Sequence, residues 1–340
     1  MFGLAPLPRS LGAALRDIES PRPEVRLSAI RDLVRHARSG EAAARQALGK
    51  ALADASPKVR AGAALGHADA DVSAHIEQLS ELAARDAAVE VRQMALLALG
   101  ELGAADPARA VAALSAARGA SDPQERFQAL LGLHQLGADE AEAAIVAGSA
   151  DADAEIRRLS FRIAEAHWPE VDEVPEVMRA RARAALSDDH PSVRTAAALF
   201  LGHVRDPSGK DVLLAILERR APGATLEDHQ AAMALAGELG LREAMPALTR
   251  RAFPRLLRDP LSYDARIALA RLGDDRARVE ILRGLSAWTF DARTVAVAAV
   301  GRARLVEARA ELERLLGEPE RVDPTAVREA LAELDRREGR

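Results

Sequence analysis

The densest group of side chains that could bind a metal lies in the segment HADADVSAH, which contains His67, Asp69, Asp71 and His75. Two imidazoles and two carboxylates form a donor set that suits zinc or iron. Their spacing matches no known metal-binding motif, and aspartates in such a segment commonly cap helices or stabilise turns. We therefore interpret the segment as a turn between two helices and predict no metal site.

Other patterns typical of catalysis or cofactor binding are missing from the sequence. It contains no cysteine, which excludes thiolate nucleophiles, disulfides and cysteine-ligated zinc. It also lacks the nucleophile pattern G-x-S-x-G and the phosphate-binding pattern G-x-x-x-x-G-K-[ST]. We predict that the chain is not an enzyme and binds no cofactor.

The amino-terminal residues MFGLAPLPRS have no basic start, and Pro6 and Pro8 interrupt their short apolar run. This pattern is not that of a signal peptide. No stretch of the sequence approaches the roughly 20 apolar residues of a membrane helix. We expect a cytoplasmic protein that does not insert into a membrane.

The sequence repeats itself with a period close to 34 residues. Segments such as PEVRLSAIRDLVRHA and VEVRQMALLALGELG share one template, and its arginines Arg26, Arg60, Arg92 and Arg126 are 34, 32 and 34 residues apart. The template recurs at Arg157, Arg194, Arg266, Arg293 and Arg328, with Gln230 in place of the arginine in one degenerate copy. A unit of this length holds two helices and two short turns, so the sequence predicts about ten helical hairpins.

The second helix of each unit begins with capping residues. Asp122 precedes Pro123, with Glu125 placed to reach back to the start of the helix, and Ser56 and Asp323 also precede prolines. Leu-Gly pairs follow the apolar positions and are expected to end the helices. Because one hairpin cannot bury its own apolar faces, the units must stack. The predicted fold class is all-α, an α-solenoid.

The recurring V-R-x-x-A-x-x-x-L-G resembles the HEAT-like repeats of the phycobilin lyase type, which are widespread in bacteria, over essentially the whole chain. The resemblance implies a single right-handed superhelix over residues 1–340, with the second helices on its concave side. It also implies a structural ladder of aspartates and arginines, with the acid six positions before the arginine. The matching residues are Asp54, Arg60, Asp86, Arg92, Asp151, Arg157, Asp188 and Arg194; four units carry Ser20, Ala120, Ala224 and Pro260 in the acid's place.

Repeats of this kind occur in scaffolds and adaptors, in a few enzymes and in a class of DNA glycosylases. The HEAT-like enzyme deoxyhypusine hydroxylase binds iron through His-Glu dipeptides, and this sequence has none. We expect a non-catalytic scaffold or adaptor that binds a partner protein along the concave surface, in a bacterial signalling, motility or assembly complex. Two alternatives stay open: a phycobilin-lyase-like subunit, and a DNA-binding protein that uses the basic carboxy-terminal third.

Charge and irregular segments indicate where a partner could bind. The net charge of −5 gives no general attraction to nucleic acid, although arginines are frequent from 242 to 309 and acids predominate from 139 to 189. The repeat is interrupted at 168–177, 219–228 and 251–264, and large aromatic residues in loops can anchor a partner or merely fill gaps between unequal repeats. The candidate partner-binding residues are Trp168, Arg251, Phe253, Arg255, Arg258, Tyr263, Trp288 and Phe290.

Overall fold

The computed structural model describes residues 8–254 and 259–335. Within these ranges the chain forms α-helices and short 3-10 helices, and no strand is present. The predicted all-α fold class is confirmed. None of the described helices is both long enough and apolar enough to cross a lipid bilayer.

The chain divides into two compact units, Met1–Pro169 (unit 1) and Glu170–Arg340 (unit 2). The helices of unit 1 are α1 (Leu11–Asp17), α2 (Pro23–Arg38), α3 (Ala42–Ala51), α4 (Pro57–Ala70), α5 (Ile76–Arg85), α6 (Val89–Leu102), α7 (Pro107–Ala117), α8 (Pro123–Gln135), α9 (Glu140–Gly148) and α10 (Ala154–His167). Those of unit 2 are α11 (Glu176–Ala185), α12 (Pro191–His203), α13 (Lys210–Leu217), α14 (Leu226–Glu238), α15 (Met245–Ala252), α16 (Ser262–Arg271), α17 (Asp275–Gly284), α18 (Phe290–Ala303), α19 (Arg309–Leu316) and α20 (Pro324–Asp335). The 3-10 helices are Ser73–His75, Gly103–Ala105, Val171–Glu173, Pro207–Gly209, Arg242–Ala244 and Val306–Ala308.

Each unit consists of helical hairpins in which an odd-numbered helix pairs with the even-numbered helix that follows it. In unit 1 the second helices α2, α4, α6, α8 and α10 pack side by side, and in unit 2 α12, α14, α16, α18 and α20 do the same. Both units therefore have the layered packing of an α-solenoid. The prediction of a single solenoid over residues 1–340 stays a prediction.

Aliphatic side chains fill the space between the two helix layers. Leu33, Leu48, Leu79, Leu96 and Leu99 are fully buried. Each buried leucine contributes roughly 1.5–3 kcal/mol relative to an exposed one. The helices that carry these leucines contact the helices of neighbouring hairpins as well as the other helix of their own hairpin. Stacking thus supplies the stability that a single hairpin lacks.

Capping residues determine where the second helices begin. The carboxylate of Asp122 accepts a hydrogen bond from the Glu125 N–H at 3.0 Å and so caps α8, as the sequence predicts. Ser56 precedes Pro57 in the same way, but its side chain does not cap α4. Instead the carboxylate of Asp54 accepts from the Ser56 N–H at 2.7 Å, which fixes the turn before the helix.

Glycines end some of the second helices. Gly137, Gly240 and Gly273 follow α8, α14 and α16 with φ angles of 60°, 68° and 89°, in the left-handed region that glycine tolerates best. Gly103 follows α6 with a φ of −62° and continues into a 3-10 helix. The Leu-Gly pair therefore ends all four of these helices as predicted, and only at α6 does the glycine not adopt the left-handed conformation.

Candidate functional site

Arginines at the start of the second helices join neighbouring hairpins of unit 1. Each one donates from Nε and Nη2 to the two carboxylate oxygens of an aspartate in the next hairpin. The pairs are Arg26–Asp54, Arg60–Asp86 and Arg126–Asp151, with N–O distances of 2.7 to 2.9 Å. This two-point geometry makes the ion pairs strong and directional, so they fix the position of one hairpin on the next.

The same arginines donate from Nη1 to a main-chain carbonyl six residues earlier in their own hairpin. Arg60 bonds the Asp54 carbonyl at 2.8 Å, and Arg26 and Arg126 bond the carbonyls of Ser20 and Ala120, both at 2.9 Å. The bond within a hairpin therefore uses the backbone, and the aspartate carboxylate serves the arginine of the preceding hairpin. This explains why serine or alanine can stand in the acid's place.

The ladder continues through two substitutions. Where Ala120 replaces the acid, the buried carboxylate of Glu125 accepts from Nε and Nη2 of Arg92 at 3.0 and 2.6 Å. The expectation that Glu125 reaches back to its own helix start is therefore wrong. In unit 2, Nε2 of Gln230 donates to Asp264 of the next hairpin at 3.2 Å, so glutamine takes the arginine's role in the degenerate repeat.

The ladder carboxylates are held in their ionised form. Hydrogen bonds from Arg60 lower the pKa of Asp86, and hydrogen bonds from Arg126 lower the pKa of Asp151. Both ion pairs are therefore fully charged at neutral pH.

Glycines inside the second helices let neighbouring backbones approach closely. A Cβ added at Gly100 of α6 would lie 2.9 Å from the Gly132 Cα of α8, and one added at Gly301 of α18 would lie 2.7 Å from the Ala330 Cα of α20. Both contacts are with backbone, which a rotated side chain cannot relieve. These glycines allow α6 to pack closely against α8, and α18 against α20.

Three leucines of unit 1 lie on the side of the second-helix layer that faces away from the core. Leu65 lies five residues after Arg60, between Ala63 and His67, which are both fully buried. Because residues two apart in a helix point in nearly opposite directions, Leu65 faces away from the core, and 38% of it is exposed. The equivalent positions in the next two hairpins are Leu97 and Leu131, which are both partly exposed. We call these three residues the leucine row.

Other apolar side chains extend the same surface. Phe127 lies one turn before Leu131 on α8 and is partly exposed, and 37% of Leu27 on α2 is exposed. We call the surface formed by the leucine row, Leu27 and Phe127 the second-helix face of unit 1. It lies on the second helices, which the resemblance to HEAT-like repeats would place on the concave side.

The α2 end of this face is basic. Arg31 occupies the position in α2 that the leucines occupy in α4, α6 and α8, and Arg35 follows one turn later. These two arginines, together with Arg9, Arg38, Asp32, Asp69 and neighbouring residues, line a groove of about 700 Å³. We call it the basic groove. Arg9 is already bound to Asp17 and Asp32 at 2.9 Å, and Arg35 lies 3.2 Å from Asp32.

The α10 end of the face also carries arginines, but each has a carboxylate on the same helix. Arg158 pairs with Glu155, and Arg162 lies 3.5 Å from Glu165. Arg35 and Arg38 at the α2 end are likewise paired, with Asp32 and Asp69. The two ends differ at the position that the leucines occupy: Arg31 has no ion pair within residues 8–254 and 259–335, whereas Arg162 has Glu165 beside it.

Two of the predicted partner-binding residues lie in the interior. Trp168 is only 4% exposed, and its ring packs edge-on against His167 with the centroids 4.8 Å apart. Arg251 is 6% exposed and donates to Asp259 at 3.0 Å and to His229 at 3.1 Å. The expectation that these two side chains face a partner is corrected: they stabilise the fold.

The remaining predicted residues are less buried. Arg266 stacks over both Phe253 and Tyr263, at 5.6 and 5.4 Å from the ring centroids, so these aromatics bind a side chain of their own unit. Trp288 is 96% exposed and Phe290 is 44% exposed, just before and at the start of α18. Arg255 and Arg258 lie outside the described residues.

The histidines of the HADADVSAH segment interact with each other. Nδ1 of the buried His67 donates to the Ala63 carbonyl at 2.7 Å, which leaves Nε2 to accept from Nδ1 of His75 at 3.1 Å. Burial lowers the pKa of His67 to about 4. Asp71 ends α4 in a left-handed conformation, and Asp69 is half exposed. Across residues 8–254 and 259–335, no three metal-binding side chains come close enough to share an ion.

Several arginines of the basic stretch in unit 2 face carboxylates. The pairs are Arg251–Asp259, Arg278–Glu307, Arg283–Glu280 and Arg302–Asp264. Such pairing reduces the positive charge available to a phosphate backbone. The arrangement therefore does not favour the DNA-binding alternative.

Sequence reasoning did not select the leucine row. The sequence did contain a signal, because each leucine stands five residues after the repeat arginine in three successive units. The structure adds that the residues two before and two after each leucine are buried, which shows that the leucines face outward. Exposed leucine is common in proteins, so its recurrence along the stack is the informative feature.

Comparison with known proteins gives a fold and no activity. No protein-family model matches the chain, and no curated protein sequence matches it. Among solved structures, the YibA protein of E. coli superposes with a TM-score of 0.60 at 15% sequence identity, covering 78% of this chain and 93% of YibA.

Two further structures match with lower scores. The CpcE–CpcF complex of phycocyanin lyase from Nostoc sp. PCC7120 gives a TM-score of 0.36 at 18% identity, over 82% of this chain and 95% of that one. Importin beta gives a TM-score of 0.45 at 13% identity, over 95% of this chain and 50% of its own. YibA is a HEAT-like protein, and the hairpin stacks of this chain agree with the likeness to it. The chain has the fold of HEAT-like repeat proteins.

Proposed function

We propose that this chain is a non-catalytic scaffold that binds a partner protein on the second-helix face of unit 1. The observation that carries the proposal is the leucine row, in which Leu65, Leu97 and Leu131 repeat on one accessible side of stacked helices. Aligned apolar side chains with a charged border are typical of protein-binding surfaces. Burying the row under a partner would remove apolar area from water at three successive helices.

The test is a variant in which Leu65, Leu97 and Leu131 are all replaced by glutamine. Glutamine is a good helix former, and the three positions are partly exposed, so the helices should be retained. Tagged wild-type chain and variant are purified from a native lysate at equal amounts, and retained proteins are quantified by mass spectrometry. We expect the wild type to retain one protein in stoichiometric amount and the variant to lose it.

The matched control replaces three exposed apolar residues of unit 2 with glutamine. Leu226, Val279 and Leu316 are 56%, 44% and 37% exposed. This control should retain the partner as the wild type does, with far-ultraviolet circular dichroism confirming that all three proteins are folded. Equal retention by the leucine-row variant, or no stoichiometric protein with any of the chains, would contradict the proposal.

A further inference from the structure

The spacing of the leucine row fits an extended polypeptide. Packed helices lie about 8–10 Å apart, so successive leucines of the row are separated by about that distance. A polyproline-II segment rises about 3.1 Å per residue with three residues per turn, which brings every third side chain to the same side after about 9 Å. Apolar side chains at every third residue would therefore contact Leu65, Leu97 and Leu131 in turn.

The polar side chains next to the row favour an extended segment over a helix. Gln124 and Gln135 flank Phe127 and Leu131 on α8, and both are exposed. A glutamine amide can donate to a main-chain carbonyl and accept from a main-chain N–H. An extended segment offers both groups along its whole length, whereas the main-chain groups inside a helix are already bonded to each other.

The basic groove indicates the charge of the segment. At the α2 end the row ends in Arg31, with Arg35 and Arg38 beside it, and the groove is lined by four arginines and two aspartates. Arg31 has no carboxylate partner within residues 8–254 and 259–335, whereas Arg162, which occupies the same position on α10, lies 3.5 Å from Glu165. Charge complementarity therefore places acidic side chains of the bound segment at the α2 end.

We propose that the second-helix face of unit 1 binds an extended segment of a partner protein that carries apolar side chains at every third residue, followed by a cluster of acidic residues in the basic groove. The inference rests on the proposed function, because it specifies which part of the partner occupies that same face. Both apolar contact along the row and ionic contact at its end are required.

The test uses synthetic peptides, so that it does not depend on finding the natural partner. A fluorescein-labelled peptide of about twelve residues carries leucine at every third position, proline and serine between the leucines, and three aspartates at one end. One comparison peptide has lysines in place of the aspartates. A second keeps the aspartates but has leucine at every seventh position in a helix-forming sequence. Binding to the full chain is measured by fluorescence anisotropy.

We expect the acidic, every-third-residue peptide to bind more tightly than either comparison peptide, and its affinity to fall as salt is added. Replacing Arg31 and Arg35 by glutamine should weaken its binding about tenfold, as the loss of two partly exposed ion pairs would. Replacing the exposed arginines Arg85 and Arg181 on the first helices by glutamine is the matched control and should leave the affinity unchanged.

Three results would overturn the inference. Equal or tighter binding of the lysine peptide would show that the groove does not select acidic residues, and preference for the every-seventh-residue peptide would show that the occupant is a helix. Failure of all three peptides to bind would show that the face does not take a short linear segment. A protein that the wild type retains and the leucine-row variant loses would still support the proposed function if the peptide experiment gave any of these results. Failure of this inference and failure of the proposed function are therefore distinguishable.

Discussion

Replacing Asp86 by asparagine tests whether the arginine–aspartate ladder holds consecutive hairpins together. The Asp86 carboxylate accepts from Nε and Nη2 of Arg60 at 2.7 and 2.9 Å and from the Ala88 N–H at 2.9 Å. Its side chain is 5% exposed and that of Arg60 is 16% exposed. Asparagine has nearly the same shape, but it removes the charge and turns a donor toward the donors of Arg60.

The expected cost follows from these contacts. A hydrogen bond to a charged group contributes about 1.5–3 kcal/mol, and breaking a buried ion pair typically costs about 3–5 kcal/mol. Because Asp86 keeps one accepting oxygen as asparagine and Arg60 retains some access to water, we expect the free energy of unfolding to fall by about 3 kcal/mol. The matched control is Glu155→Gln, since Glu155 is 56% exposed and pairs with Arg158 on its own helix, for which the expected loss is below about 1 kcal/mol.

The assay is urea unfolding at pH 7 followed by circular dichroism, with hydrogen exchange to locate the loosened helices. The pKa of Asp86 is lowered in the folded chain, so its contribution to stability is complete above the ordinary value of 3.8 and is lost as the pH falls through the folded value. At pH 7 the full contribution is measured. Hydrogen exchange should accelerate in α4 and α6 first, because repeat arrays can open locally. An effect of Asp86→Asn no larger than that of Glu155→Gln would refute the reasoning.

Three further predictions concern packing, pH and tryptophan exposure. Gly100→Ala should destabilise the chain by about 1–2 kcal/mol in urea unfolding although alanine favours helices, since its Cβ would lie 2.9 Å from backbone, whereas Gly12→Ala, with open space around it, should be neutral or stabilising. The pKa of His67 falls from 6.5 to about 4 on folding, so unfolding should become about 3 kcal/mol easier as the pH drops from 6.5 to 4, and His67→Leu should remove this part of the pH profile. Acrylamide should quench the fluorescence of a Trp168→Phe variant strongly and that of a Trp288→Phe variant weakly, because the remaining tryptophans are 96% and 4% exposed; the opposite order would contradict the placement of both residues.

The local features of the fold could be predicted from the sequence because each hairpin repeats one pattern. The arginine spacing and the capping residue Asp122 identify the second helices from the amino-acid sequence alone. The partner of each arginine could not be found in this way. Asp54 lies six residues before Arg60 in sequence, but its carboxylate bonds Arg26 of the preceding hairpin. Contacts between hairpins depend on how the hairpins stack, and the spacing of residues within one hairpin does not determine that stacking.

The candidate site was harder to predict because residue type does not determine burial. Trp168 and Arg251 stand in irregular segments, where the sequence indicates loops, and both are enclosed by their surroundings. Leu65 and Leu97 look like ordinary core leucines of a helix, and only the burial of their neighbours two residues away shows that they face outward. Which residues of a second helix are buried depends on how that helix is rotated about its axis within the stack. The sequence predicts the stacking but not this rotation.

The most direct test of the central claim is site-specific photocrosslinking on the second-helix face. A photoreactive phenylalanine analogue is placed at Leu97, in the middle of the leucine row, and separately at Val279, which is 44% exposed on α17. After irradiation in a native lysate, we predict that the Leu97 position yields one dominant crosslinked protein and the Val279 position does not. The same product from both positions, or none from Leu97, would contradict the assignment of this face as the binding surface.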